Sequence, residues 1–323
     1  MSRWWILVHD DGDGVVTGAL AYAGLDGDKK IYFTHPVGLL EDLEVVEEGS
    51  NVFIGDVALT KAHYKQVLEK LREVSEWGGQ VIYIDHHPLP VGFNAKSFPG
   101  VLVYDYKTSS SELTRKFFGD KLSLEYDRLA LIGAVCDYLE ETIWVKERML
   151  EWDKRMIYFE AGILATGLEG SRGLHDFKRT IVKHLASGGL PSDLTGLVIR
   201  ALMEAVQEEE LRRRVYEKAT PLDKIAYVIE PGGSLGRSAI YAMTSRGKIV
   251  GVAVDRKKDY AVISVRCRSS SIDLNKILSS IAEKYGGVGG GHVSAAGARI
   301  PWSNLMKFLL ELDQRIAKEL ERG

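Results

Sequence analysis

Five short apolar runs, WWILV at 4–8, KIYFT at 30–34, NVFI at 51–54, VIYI at 81–84 and VLVY at 101–104, are continuous rather than alternating. A strand with one solvated face alternates apolar and polar side chains, so continuous runs belong to strands buried on both faces, as in a parallel sheet. Helical patterns lie between them, clearest over 59–77, where Val67, Leu68, Leu71 and Val74 recur at helical spacing. This alternation of strand and helix predicts a doubly wound, mainly parallel α/β unit.

The polar residues that end these runs carry the chemistry. HDDGDG (9–14) follows the first run, GD (55–56) the third, DHH (85–87) the fourth and YD (104–105) the fifth. In an open parallel sheet the ligand crevice lies beyond the C-terminal strand ends, so residues far apart in sequence converge there. On an extended segment His9, Asp11 and Asp13 face the same way. Gathered without a cation they would repel one another or carry displaced pKa values; a divalent metal removes the conflict. Each aspartate alone could equally cap a helix, and Asp105 reads as a turn residue.

Two look-alikes fail. Counted from His9, the twelfth position of a calcium loop is Leu20 instead of Glu. Gly12, Gly14 and Gly18 are spaced one residue too long for a dinucleotide fingerprint, and Asp13 would repel a pyrophosphate. Asp56, Asp85, His86 and His87 follow later strands, and Asp137 lies in the helical pattern LIGAVCDYLEE. Imidazole and carboxylate donors without cysteine favour Mn²⁺, with Mg²⁺, Co²⁺ and Zn²⁺ as rivals. The candidates are too many for one catalytic ion and suit two, roughly 3.5–4 Å apart and sharing a carboxylate.

The 323 residues suit two domains, with 45% hydrophobic and 27% charged residues in the ordinary globular range. A second unit begins near residue 220: TPLDKIAYVIEPGG surrounds a strand pattern, KIVGVAVD (248–255) and YAVISVRC (260–267) follow, and GGVGGGHVSAAG (286–297) precedes a helix with Leu305, Phe308, Leu309, Leu312, Ile316 and Leu320 on its apolar face. The intervening stretch is helical and charged. Its EEELRRR (208–214) reads as a solvated face with Glu208, Glu209 and Glu210 paired to Arg212, Arg213 and Arg214 at i,i+4, in preference to a nucleic-acid patch.

A net charge of −3 gives no global reason to bind long nucleic acid or an anionic membrane. Cys136 and Cys267 make neither a disulfide framework nor a cysteine metal site, which fits a reducing cytoplasm. The opening MSRWWILVHDD carries an apolar run of only Trp4 to Val8, against the about 20 apolar residues of a membrane span, and lacks a signal peptide's longer apolar region.

Together HDDGDG, Asp56, DHH at 85–87 and Asp137 resemble the successive motifs of the DHH phosphoesterase superfamily. RCRSS (266–270), Asp273 and GGGHVSAAG (289–297) are similar to its substrate-binding domain, DHHA1. The resemblance implies a DHH metal-binding catalytic domain at 1–145, a helical connector at 146–219 and a DHHA1 domain at 220–323. It implies that His9 and Asp11 hold one metal, that Asp13, His86 and Asp137 hold the second, and that Asp56 bridges them. Asp85 would orient His86, and His87 would face the scissile phosphate.

For KTSSSEL (107–113) the resemblance suggests a phosphate or base contact by Ser109 and Ser110, with helix capping as the alternative. In the second unit Arg268, Ser269, His292 and the backbone of Gly289, Gly290 and Gly291 would bind substrate. One departure is visible: many relatives follow the Asp137 equivalent with Thr-Gly, whereas this chain has Tyr138-Leu139-Glu140.

The expected activity is hydrolysis of short oligonucleotides or linear dinucleotides to mononucleotides, by water activated between two divalent cations, with remote substrate contacts from Arg268 and His292. The alternatives are a phosphatase of the 3′-phosphoadenosine 5′-phosphate type, a RecJ-like single-strand exonuclease, and a non-catalytic replication or repair scaffold, which intact ligands disfavour. The connector and terminal helix could mediate a homodimer, although apolar helical faces are more often intramolecular core.

Overall fold

The computed structural model describes residues 3–322. The chain divides into two compact units, one ending at Glu204 and the other beginning at Ala205. The first contains β1 (Arg3–Val8), α1 (Gly12–Gly24), β2 (Asp28–Phe33), the short α2 (Leu39–Asp42), β3 (Asn51–Gly55), α3 (Tyr64–Glu76), β4 (Val81–Asp85), β5 (Val101–Tyr104), α4 (Ser110–Phe118), α5 (Glu125–Cys136), α6 (Ile143–Arg148), α7 (Lys154–Glu169) and α8 (His175–Ala186). The boundary falls within α9 (Thr195–Lys218).

The five strands form one parallel sheet in the order β2-β1-β3-β4-β5. Each of the continuous runs is a strand, and the alternation of its side chains explains why no polar face appears. Trp4, Ile6 and Val8 enter one core with Phe53, Ile82 and Ile84, under α1, α4, α5, α7 and α8. Trp5 and Leu7 enter the opposite core with Val52, Ile54, Val81 and Tyr83, under α2 and α3. Strand order reverses between β1 and β3, which places the crevice beyond their C-terminal ends. The helix expected over 59–77 starts only at Tyr64, because His63 and Tyr64 N–H both close a turn on the Thr60 carbonyl.

Much of the stretch read as a connector packs on this sheet: Ile157, Ala161, Leu164 and Leu168 of α7 and Ile181, Val182 and Leu185 of α8 belong to the β1 core. Among the described residues, no helix is long and apolar enough to cross a membrane.

The second unit adds β6 (Thr220–Pro221), β7 (Ile225–Ile229), α10 (Leu235–Ser245), β8 (Val250–Lys257), β9 (Tyr260–Cys267), α11 (Leu274–Lys284), β10 (Val288–Gly291), β11 (Ala295–Pro301) and α12 (Leu305–Arg322). Its mixed sheet runs β10-β11-β9-β8-β7-β6, with β7 and β8 parallel and the other pairs antiparallel. Ile263, Val265, Leu278, Ile281, Phe308, Leu309, Leu312 and Ile316 share a core. Leu211, Val215, Ala239 and Ala242 cover Ala226, Val228 and Ala253 in another.

One local expectation is corrected here. The charged face of α9 pairs Arg212 and Arg213 with Glu209 and Arg214 with Glu210, whereas Glu208 turns to Arg237 and Tyr241. The triple glycine belongs to strand β10. β10 pairs with β11 and lies so close to α11 that a Cβ on Gly289 would come 2.8 Å from the Leu278 carbonyl oxygen.

Candidate metal centre

The loop after β1 makes a tight strand-to-helix turn. Asp11 caps α1 by accepting from Gly14 N–H at 3.0 Å, and its other oxygen lies 2.7 Å from His9 Nδ1. A side chain at position 14 would strike the His9 carbonyl oxygen, at 2.4 Å from an added Cβ, so glycine permits the turn. Asp13, one residue into α1, is buried.

Asp56 follows β3 at φ 60, a left-handed conformation that costs on the order of 1 kcal/mol and that aspartate tolerates better than most residues. Its N–H donates to the Ile84 carbonyl at 3.0 Å, which ties it to β4. From the end of β4, His86 Nε2 lies 3.2 Å from Asp56 Oδ1 and 3.3 Å from Asp137 Oδ2. Asp137 is the C-cap of α5.

The described ligand atoms therefore gather in three overlapping triads, each within 4.8 Å: His9, Asp11 and Asp56; Asp13, His86 and Asp137; Asp56, His86 and His87. Asp56 is shared by the first and third, and His86 by the second and third.

Asp85 does not play its expected part. Its Oδ1 lies 2.8 Å from Nδ1 of His87, so the carboxylate orients His87 in place of His86. The two imidazoles meet edge to face with centroids 4.5 Å apart.

Ser109 and Ser110 are both fully buried, and for Ser109 the structure shows the capping alternative. Ser109 caps α4 by accepting from Glu112 N–H at 3.2 Å. Ser110 Oγ donates to Asp56 Oδ1 at 3.0 Å, and the N–H groups of Ser110 and Ser111 donate to the Asp13 carboxylate at 2.8 and 3.1 Å. The anion at this helix N-terminus is thus a side chain of the protein itself. Asp105 accepts from Lys107 N–H and Thr108 Oγ1, which makes it a turn residue as expected. Loss of the Ser110 hydroxyl in Ser110→Ala is expected to weaken Mn²⁺ binding about 10- to 100-fold, the usual effect of removing a group that orients a ligand, as read by metal titration.

Sequence reasoning missed Lys178. Its buried ammonium donates to the Asp10 carboxylate at 2.6 Å and the Asp10 carbonyl at 3.1 Å, bracing the loop between His9 and Asp11 from α8. The signal was available: Lys178 shares the spacing of Ile181, Val182 and Leu185 on the buried stripe of α8.

Charge is crowded here. Burial, then Asp11 and Asp13, holds the Asp56 carboxyl well above the usual range. Burial also raises Asp13, and burial with Asp13 raises Asp137 to about 7. Desolvation opposes a charge on His9, but Asp11 outweighs it and raises the imidazole to about 9. Desolvation likewise opposes the His87 charge, and the Asp85 hydrogen bond overrides it. Asp85 Oδ2 is buried without a hydrogen-bond partner. Buried carboxylates facing one another with imidazoles between them are a donor set that fits hard to borderline divalent cations.

In the second unit Arg268 Nη2 donates to Thr244 Oγ1 at 3.1 Å, and Ser269 Oγ lies 2.8 Å from Ser271 Oγ. Gly291 N–H is committed to Asn275 Oδ1 at 3.0 Å and His292 N–H to the Ala295 carbonyl at 2.8 Å. Asp273 caps α11 through Lys276 N–H.

Residues 225–318 match the family model of the DHHA1 domain. No curated protein matches the chain by sequence. Among solved structures it is similar to the DHH domain of a member of a family of ribosomal proteins, with a TM-score of 0.72 and 16% identity over 98% of this chain and 86% of that one. It is similar to the pGpG-specific phosphodiesterase PggH from Vibrio cholerae, with a TM-score of 0.60 and 16% identity over 99% of this chain and 100% of that one. For RecJ from Thermus thermophilus in complex with Mn²⁺, the TM-score is 0.70 and the identity 18%, over 98% of this chain but only 52% of RecJ. The chain has the fold of the DHH phosphoesterase superfamily. Its second unit carries the DHHA1 domain.

Proposed function

We propose that this chain is a divalent-metal-dependent phosphodiesterase that cleaves short oligonucleotides or linear dinucleotides to mononucleotides. The observation that carries this reading is the linking of three ligand triads through Asp56 and His86, each shared by two of them, at the switch point of a parallel sheet. His9 and Asp11 would hold one cation and Asp13, His86 and Asp137 the other, with Asp56, which clusters with the first pair and lies 3.2 Å from His86 of the second set, proposed as common to both. Two bound cations, Mn²⁺ or Mg²⁺, would supply phosphate-charge neutralisation and an acidified water.

The chain's own groups do the positioning. Ser110 holds the shared Asp56 oxygen, and the start of α4 holds Asp13. With the His87 Nδ1 proton on Asp85, Nε2 is the nitrogen that would meet the phosphate or the departing oxygen. Arg268, Ser269, His292 and the β10 glycines are proposed as substrate contacts of the second unit.

Short substrates are supported by the formal charge of −3, which supplies no electrostatic track for a long polyanion. The free cysteines Cys136 and Cys267 accord with a reducing, cytoplasmic setting.

A 5′-labelled RNA ladder from two to about 24 nucleotides, digested with Mn²⁺, tests the length preference. The shortest species should disappear first, at least about 10-fold faster than the longest. Faster processive loss of the longest species would replace this reading with an exonuclease.

A further inference from the structure

The residue after Asp137 is costly as it stands. α5 closes with Tyr138 N–H on the Val135 carbonyl at 3.2 Å and Leu139 N–H on the Ala134 carbonyl at 2.9 Å, which forces position 138 into the left-handed conformation at φ 58. Glycine is the usual occupant of such a helix end, because a bulky side chain is strained there. The tyrosine ring recovers nothing by packing, since it is 88% exposed. Strain and apolar exposure at one residue, adjoining a candidate metal ligand, call for a function outside the folded chain.

The segment beyond it is held firmly. Tyr158 Oη of α7 donates to Glu140 Oε2 at 2.6 Å, and Lys154 Nζ lies 5.4 Å from the Tyr158 ring centroid. The rim beside Asp137 thus presents an exposed aromatic on a braced backbone, with a second aromatic and a cation anchored to the same segment. Aromatic faces with a nearby cation suit a nucleobase and its phosphate.

We propose that Tyr138 is the platform on which a nucleobase of the substrate stacks when its phosphodiester enters the metal centre; this rests on the phosphodiesterase reading above. The ring selects for a base without touching the reacting atoms.

The test compares a linear purine dinucleotide with the two analogues in which either one base or the other is replaced by an abasic residue, all with Mn²⁺. Tyr138→Ala should raise KM for the dinucleotide about 10-fold with kcat within about 2-fold, and leave KM for one of the two abasic analogues unchanged. Tyr138→Phe should behave as the unaltered chain. Tyr138→Gly should lose the base preference while raising the melting temperature, since it relieves the strain; a merely structural tyrosine would keep the base preference and lower the melting temperature on replacement. Equal KM rises on dinucleotide and both analogues, or no rise, would overturn the platform. Calorimetric binding of the dinucleotide separates this from the catalytic reading. A chain that binds about 10-fold more tightly than Tyr138→Ala but cleaves nothing keeps the platform and rejects the phosphodiesterase; equal affinity with normal cleavage does the reverse.

Discussion

Asp56→Asn is expected to lower Mn²⁺-dependent hydrolysis of a linear dinucleotide by about 10³-fold or more, the several kcal/mol that catalytic cations contribute to a phosphoryl transition state. The reason is local. Asp56 belongs to two of the ligand triads, one with His9 and Asp11 and one with His86 and His87, so removing its charge weakens both at once. Asparagine is the informative replacement because it accepts φ 60 and can still take the Ser110 hydrogen bond. The metal-free variant should be at least as stable as the unaltered chain, because the substitution removes a buried carboxylate crowded by Asp11 and Asp13. Circular dichroism and a melting curve check that activity is lost without loss of fold.

The second large effect is on stability. In the metal-free chain burial raises Asp13 and Asp56, and burial with Asp13 raises Asp137 to about 7. His9 is raised to about 9, Asp11 outweighing the cost of desolvation. Each binds its proton more tightly folded than unfolded, so its contribution is complete below the unfolded pKa and is lost as pH rises through the folded value. For the aspartates the loss begins above about 4 and for His9 above about 6.5. Asp11 has the opposite sign, held low chiefly by His9 against desolvation; its contribution is lost only in acid and is constant across the neutral range.

The melting temperature of metal-free protein should therefore fall between pH 6 and pH 9. Mn²⁺ needs the deprotonated ligands, so its stabilisation should grow over the same interval. At a free concentration of about 100 times Kd the gain is about 2.7 kcal/mol, or roughly 5–10 °C at pH 8, and smaller at pH 6. A metal-free chain whose stability rises steadily towards pH 9, or a Mn²⁺ gain that shrinks there, would contradict the crowded-carboxylate description.

The first sheet was legible because its inner strands β1, β3 and β4 are buried on both faces. Ile6 and Leu7 point into different cores yet must both be apolar, and that leaves a continuous run in the sequence. The candidate ligands were legible because they lie at the ends of those runs. What escaped depends on partners distant along the chain. The N–H groups that begin α4 look alike in sequence whether they await a substrate phosphate or Asp13, and only the packing of α1 beside α4 decides between them. Asp85 could have served either neighbouring histidine until strand geometry aimed it at His87. The triple glycine carries no sign that α11 will press against it.

The most direct measurement is product analysis of a linear dinucleotide incubated with the purified chain in Mn²⁺ and in EDTA, beside Asp56→Asn. Mononucleotides formed in Mn²⁺ alone, and nearly absent with the variant, are the result this account predicts. An intact dinucleotide in Mn²⁺, or equal hydrolysis by Asp56→Asn, would contradict it.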